Sequence, residues 1–273
     1  MIQREAFFLP AGAGPRFCLY TPSQGEEERG VVLYIHPFAE EMNKSRRMAA
    51  LQSLALASAG FGVLQIDLYG CGDSSGDFGD ASWDSWVADV GHACHWLQER
   101  SSAPVWLWGL RAGCLLAVNA AVNLKTCPNF LFWQPVLAGK PVLQQFLRLK
   151  LAGELIGNEG NKSAEEMRQQ LARGEAIEVA GYQLSPALTH GLEAAELQLP
   201  PNTGRVEWIE LSSRAEATLA PASHKRLEEW KKGGLAVRSR VVSGPSFWQT
   251  SEIEEAPALI QATLDALGGR VAP

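Results

Sequence analysis

The chain has 273 residues, 46% of them hydrophobic, and a formal net charge of −6. That length and composition suit one large α/β domain, with or without an inserted subdomain, and the acidic balance leaves no electrostatic footprint for nucleic acid or an anionic membrane surface. No basic n-region precedes an apolar stretch at the N-terminus, and no segment holds the ~18 unbroken apolar residues of a membrane span, so a cytoplasmic protein is expected. The five cysteines (Cys18, Cys71, Cys94, Cys114 and Cys127) are odd in number and scattered, which fits neither a disulfide framework nor a zinc site. No metal and no cofactor is expected.

Residues 30–36 form a continuous apolar run after a glutamate-rich turn at 24–29, the pattern of a parallel strand buried on both faces. Residues 44–59 read as a helix with Met48, Leu51, Leu54 and Ala55 on one face, stopped by Gly60. A second buried strand at 61–68 runs into a glycine-rich loop containing Asp67, Gly70, Gly72 and Ser74. Ser82 caps a helix in which Trp83, Trp86, Val87, Val90, Cys94 and Leu97 recur at three- and four-residue spacing. A strand at 105–108 leads into an apolar helix at 114–122. Further strands are predicted at 129–136, 205–211 and 235–242, and helices at 221–232 and 257–267, with Pro257 in the first turn of the last helix and Gly268 at its end. This βαβ alternation predicts a mostly parallel central sheet flanked by helices. Between Pro141 and Pro201 the sequence is polar and helix-prone, with no apolar strand run. Residues 1–140 and 202–273 are therefore expected to form the core, and 141–201 a helical lid inserted over the carboxyl ends of the strands, where open α/β sheets place their ligands. No internal repeat or low-complexity tract interrupts the chain.

The junction of the 105–108 strand with the helix after it carries the most chemical information. Gly109-Leu110-Arg111-Ala112-Gly113 has the frame of a nucleophile elbow, in which glycines flank a sharp strand-to-helix turn and its apex side chain projects into a pocket. Arginine stands at the apex. A guanidinium stays protonated and cannot attack a carbonyl, which excludes serine-type acyl transfer through this position. At a helix N-terminus its charge is opposed by the macrodipole at ~0.3–1 kcal/mol, so a compensating anion is expected. Glu40, Glu41 or Glu216 could supply it internally, and a ligand carboxylate or phosphate could supply it externally.

His36-Pro37-Phe38 after the first central strand, the D-x-x-G-x-G-x-S loop of Asp67, Gly70, Gly72 and Ser74, the elbow and the closing helix occur in the order of α/β-hydrolase-fold proteins, which the chain resembles over nearly its whole length. More closely, the run from His36 to Met48 (HPFAEEMNKSRRM) together with the Gly-Leu-Arg-Ala-Gly elbow resembles the second of two hydrolase-like families associated with the exosortase A system. In the family's bacterial hosts that system accompanies protein sorting and exopolysaccharide production. In an active α/β-hydrolase relative a histidine falls just before the final helix; here Gly244-Pro245-Ser246-Phe247-Trp248 puts serine there. The loop at 212–216 offers only Glu216 as the acid. Triad members act as a unit, so losing any of them leaves a residual ~10³–10⁴-fold effect from binding and the oxyanion hole. The resemblance with these substitutions implies a degenerate serine-hydrolase site in a ligand-binding or accessory protein. The alternative is an enzyme acting by a non-standard mechanism on an acyl or ester substrate, with Arg111 polarising a carbonyl and His36 carrying the proton. A purely structural partner in an assembly is a third reading.

The pocket is expected to involve His36, Phe38, Arg111, Ala112 and Ser246, and its ligand to be a small anionic or acyl molecule; a protein partner from a sorting or exopolysaccharide system is the other expected contact. His36 has two readings, as pocket lining or as an imidazole that bonds loop backbone and fixes the turn before Pro37. Asp67 and the Gly70/Gly72 loop are expected to fix loop geometry, with a direct binding role as the alternative. His92 and His95 lie three apart on a helix without a third metal ligand. Cys71 and Cys114 are the thiols that could stand in for a serine, with Cys114 expected to face away from Arg111.

Overall fold

The computed structural model describes residues 2–154, 164–214 and 216–268, with the side chains of 150–154 and 164 left aside. A twisted sheet of eight strands runs through it. In chain order these are β1 (Glu5–Leu9), β2 (Arg16–Thr21), β3 (Gly30–Ile35), β4 (Phe61–Ile66), β5 (Val105–Leu110), β6 (Asn129–Trp133), β9 (Arg205–Ser212) and β10 (Ala236–Ser243), with a separate hairpin of β7 (Ile177–Val179) and β8 (Tyr182–Leu184). The spatial order is β1-β2-β4-β3-β5-β6-β9-β10, antiparallel across the first two pairings and parallel from β4 onward. Strand order reverses between β3 and β5, so the carboxyl ends of these two strands open a crevice where α/β sheets hold ligands.

The central strands read as unbroken apolar runs because both faces are covered. On one face Val31, Leu33, Ile35, Leu107, Phe130, Phe132 and Trp208 pack under α2 (Trp83–Arg100), α3 (Gly113–Ala121) and α7 (Pro221–Lys232). On the other, Val32, Tyr34, Trp106, Trp108, Leu131 and Trp133 meet α1 (Glu40–Ser58) and α8 (Pro257–Gly268). Tyr34 and Trp108 are directly opposite across β3 and β5, with ring centroids 4.4 Å apart, and Trp108 meets Trp133 at 4.6 Å. Such cross-strand aromatic pairs fix register, since a one-residue slip would turn every ring to the opposite face.

Several local expectations are corrected. The α1 helix begins at Glu40, not at residue 44, and its buried side carries Met42, Ser45, Met48, Ala49, Gln52, Ser53 and Leu56, so Leu51, Leu54 and Ala55 sit at its margin. Small and polar residues are buried there because helix and sheet approach closely; Ser45 and Ser53 hydroxyls donate to the carbonyls of Glu41 and Ala49 one turn back. The β6 strand stops at Trp133 because Gln134 turns the chain at φ 42°. The β1–β2 hairpin, absent from the sequence reading, is too short and amphipathic to stand out by periodicity. Residues 141–201 also carry strand: besides α4 (Gly139–Glu154), α5 (Ala164–Ala172) and α6 (Pro186–Ala194) they hold the β7–β8 hairpin, whose three-residue strands leave almost no alternation to read. Here α6 packs against α2 and α4, with Gly191 letting Trp83 approach.

Candidate functional site

The elbow forms where β5 passes into α3. Arg111 adopts φ 54°, a left-handed conformation that is strained for any L-residue with a Cβ and recurs at functional turns. Its amide donates to Trp133 O at 3.0 Å, and the Cys114 amide returns to Arg111 O at 3.1 Å. Two glycines make the turn possible. A Cβ at Gly109 would lie 2.6 Å from Cys114 Cα, and one at Gly113 would collide with the carbonyl of Ile35. The α3 N-terminus is thereby pressed against the end of β3 and the His36–Ala39 loop.

The guanidinium is held from three sides. Arg111 Nε donates to Glu41 Oε1 at 3.3 Å, Nη2 donates to Gln145 Oε1 at 3.4 Å, and Cζ lies 5.8 Å from the Trp248 ring centroid. Only 14% of the Arg111 side chain and 12% of the Glu41 side chain are exposed, so this is a shielded pair. Burial pushes the Glu41 carboxyl above the usual carboxylate range, and the Arg111 charge, with help from Gln249, works against that rise. Beside the pair lies a cavity of about 210 Å³. Phe38 lines it from the β3–α1 turn, Glu40, Glu41 and Lys44 from the start of α1, Val142, Gln145, Phe146 and Leu149 from α4, and Trp248 and Gln249 from the turn before α8. Phe146 stands edge-on to Phe38 at 5.2 Å, which joins the α4 wall to the loop.

Of the residues expected at this pocket, Phe38 lines it and Arg111 borders it through Glu41 and Gln145. Ala112 is buried at the start of α3. Ser246 is exposed, in a turn closed by the Gln249 amide donating to Ser246 O at 2.8 Å. His36 is turned inward: Nδ1 bonds Pro37 O at 2.8 Å and the Leu68 amide donates to Nε2 at 3.3 Å. That pattern requires the neutral tautomer with hydrogen on Nδ1, and burial lowers the imidazole's pKa in the same sense. Glu216 is exposed; the carboxylate paired with Arg111 is Glu41. Asp67 takes both Arg46 guanidinium nitrogens, at 3.1 and 3.0 Å, and the Asp73 amide at 3.2 Å, and its carbonyl accepts from the Ser74 hydroxyl. Burial pushes the Cys71 and Cys114 thiols well up, so neither is a thiolate at neutral pH. His95 bonds Glu99 at the surface, and among the described residues no group of three or more His, Cys, Asp or Glu is arranged to hold a metal ion. No helix among the described residues is long and apolar enough to cross a membrane.

Gln145, Phe146 and Trp248 were not legible as site residues. Trp248 follows the serine at the base position and was the nearest signal; α4 meets the elbow only through the fold.

Comparison with known proteins agrees with this architecture. Residues 26–171 match the family described as Serine aminopeptidase, S33. Human Protein ABHD12B is 32% identical over 114 residues, which are 41% of this chain and 30% of that protein, so the match spans less than a third of the relative. Among solved structures, Est1E from Butyrivibrio proteoclasticus with ferulic acid bound superposes with a TM-score of 0.64 at 14% identity, covering 96% of each chain. A soluble variant of monoglyceride lipase from Saccharomyces cerevisiae, in complex with a substrate analogue, gives 0.62 at 15% identity over 98% of this chain and 95% of that one. XC6422 from Xanthomonas campestris, described as an α/β serine hydrolase without lid, gives 0.58 at 15% identity over 97% and 93%. The shared fold is the α/β-hydrolase fold, a mostly parallel central sheet flanked by helices.

Proposed function

We propose that this chain, which belongs to the serine aminopeptidase S33 family of α/β-hydrolase-fold proteins, is a ligand-binding accessory protein whose hydrolase site no longer performs serine acyl transfer. The observation that carries this reading is Arg111 at the elbow apex with its guanidinium tied to Glu41 and Gln145, a group with no lone pair to offer a carbonyl and a charge already matched. The surroundings support it. Ser246 and Glu216 are exposed, and both His36 nitrogens are engaged with backbone, which weighs against His36 as the proton carrier of a non-standard mechanism. Internal pairing also removes the main reason to expect an anion, and the apolar walls of Phe38, Val142, Phe146 and Leu149 favour an acyl-like or aromatic body. In this proposal residues 141–201 act as a lid, with α4 as its working wall.

The resemblance of the His36 to Met48 segment supports a role beside the exosortase A system, in the cytoplasm, as an accessory to protein sorting or exopolysaccharide production. Two experiments test the proposal. A panel of acyl esters should show no turnover above background; a reproducible rate abolished by Arg111→Ala overturns the non-catalytic reading. Deleting the gene in a host that carries the exosortase A system should impair sorting or exopolysaccharide output; unchanged output removes that placement.

A further inference from the structure

The eight-stranded sheet ends in β1 on one side and β10 on the other, and the two edges are finished differently. β10 carries Arg238 and Arg240 in its middle. β1 has no charge from Ala6 to Leu9, no proline within it and no bulge, since it pairs with β2 in unbroken register from Glu5↔Tyr20 to Leu9↔Arg16. Charge, proline and bulges are what keep a free edge from pairing with another chain. Phe8, inside this unguarded strand, is 57% exposed. We propose that β1 is a docking edge for a second copy of this chain, the two β1 strands pairing antiparallel about a two-fold axis at Phe7 and joining two sheets into one.

The side-chain pattern selects that occupant. Residues directly opposite in an antiparallel pair share a face, so the two-fold axis of a self-paired strand passes between two copies of the same residue. Centred on Phe7, the register sets Ala6 against Phe8 of the second copy, and Phe8 against its Ala6. On the α1 face Ala6, Phe8, Phe17 and Leu19 form an apolar strip outside both halves of the core, with Phe8 edge-on to Phe17 at 5.8 Å. Pairing extends the strip into a row of Phe17 and Phe8 followed by Ala6 and Leu19 of the second copy, and the axis repeats that row in reverse. A ring meets a methyl group in both directions.

On the opposite face Phe7 meets Phe7. Each ring is already stacked on Trp96 at 4.7 Å, and the Arg100 guanidinium lies 3.7 Å from the Trp96 ring centroid. Moving the axis by one residue spoils the match. Centred on Ala6, it sets Glu5 against Phe7; centred on Phe8, it brings Pro10, which has no N–H to donate, opposite Ala6. Five residues a side is short beside the ~20–30 of a standard interface, so the dimer is reversible and dissociates in the micromolar range.

Sedimentation velocity of the full chain from about 1 to 200 μM should show the sedimentation coefficient rising from monomer to dimer. Phe8→Lys and Ala6→Glu each place a charge at a position exposed in the monomer, so the circular dichroism spectrum should be unchanged while dimerisation weakens by at least about tenfold. Mixing the two variants should restore association, because the Phe7-centred register sets the introduced lysine opposite the introduced glutamate. Should one variant fail to fold, the other alone carries the comparison with the unsubstituted chain. A monomer at every concentration, a dimer indifferent to both substitutions, or a mixture no more associated than either variant alone overturns the inference.

Discussion

Two shielded arginine–carboxylate pairs in this protein are built to different standards. Arg16 Nε meets Asp89 Oδ1 at 2.7 Å, Arg16 Nη1 donates to Gly14 O at 2.7 Å, the Tyr69 amide takes Asp89 Oδ2 at 2.8 Å, and the guanidinium lies 4.5 Å from the Tyr69 ring centroid. Both carboxylate oxygens are used. Arg111 and Glu41 meet once, at 3.3 Å, and the second Glu41 oxygen is left unbonded beside a cavity. A pair that serves the fold closes its hydrogen bonds internally, because any orphan costs about 1–3 kcal/mol. The pair at the elbow is looser, and one of its carboxylate oxygens stays buried without a hydrogen-bond partner.

The widest separation between the two pairs should appear in stability. Arg16→Met strands Asp89 in the interior, so unfolding in urea should show a loss of about 3–5 kcal/mol. A loss below about 1 kcal/mol would put the Arg16 pair on the same footing as a surface ion pair and end the contrast.

Next in size is the frame that sets Arg111 beside Glu41. Gly113→Ala forces a methyl group against the Ile35 carbonyl and must push α3 from β3, at about 1–3 kcal/mol for overpacking. The loss is read from the urea midpoint. Unchanged stability would show that α3 does not press on β3 at the elbow.

The elbow itself was legible because glycine spacing, a buried strand and an apolar helix are all local signals. The site was legible in half. Arg111, Phe38 and the choice among Glu40, Glu41 and Glu216 come from sequence, but which carboxylate pairs with Arg111 depends on α1 starting at Glu40, four residues earlier than its apolar period indicates. Helix starts rich in charge carry no periodicity to read. The other wall is tertiary: Gln145 and Phe146 reach the pocket only because α4 is drawn over the loop by contacts such as Phe146 with Phe38 and Tyr182. Short strands such as β7 and β8 escape for the same reason, since three residues fix no period.

Removing the charge at the elbow should cost less than breaking the Arg16 pair, because Arg111 meets Glu41 at 3.3 Å in a partly exposed site whereas Arg16 meets Asp89 at 2.7 Å in a fully buried one. Arg111→Met should lower stability by about 1–2 kcal/mol at neutral pH, near the low end for an orphaned buried polar group. The sign of its pH dependence follows from Glu41, whose folded pKa lies above its unfolded value of about 4.3. Between those values the folded protein holds the extra proton, so this group's contribution falls as pH rises through the window. Without Arg111 the folded value climbs further and the window widens. Urea midpoints taken between about pH 4 and pH 8 should therefore show the variant's deficit growing with pH and closing at the acid end. A deficit independent of pH would mean that Glu41 is not the partner that matters.

The smallest effect is expected from rebuilding the missing chemistry with Arg111→Ser and Ser246→His together. A serine at the apex would inherit the elbow's strained geometry, but the general base would start from an exposed turn, because it is Phe247 and Trp248 that point into the core there. The one acid the loop offers, Glu216, is exposed as well, and an imidazole without a buried carboxylate to fix its tautomer loses about 10⁴-fold in kcat. Hydrolysis of small activated esters should accordingly rise no more than about tenfold over the Arg111→Ala control, far below the ~10 s⁻¹ of a typical enzyme. A rate in that typical range would show that the oxyanion hole and an orienting acid persist intact. The open Arg111–Glu41 pair would then be a lock on a latent hydrolase, and the contrast with the Arg16 pair would need a catalytic explanation in place of a binding one.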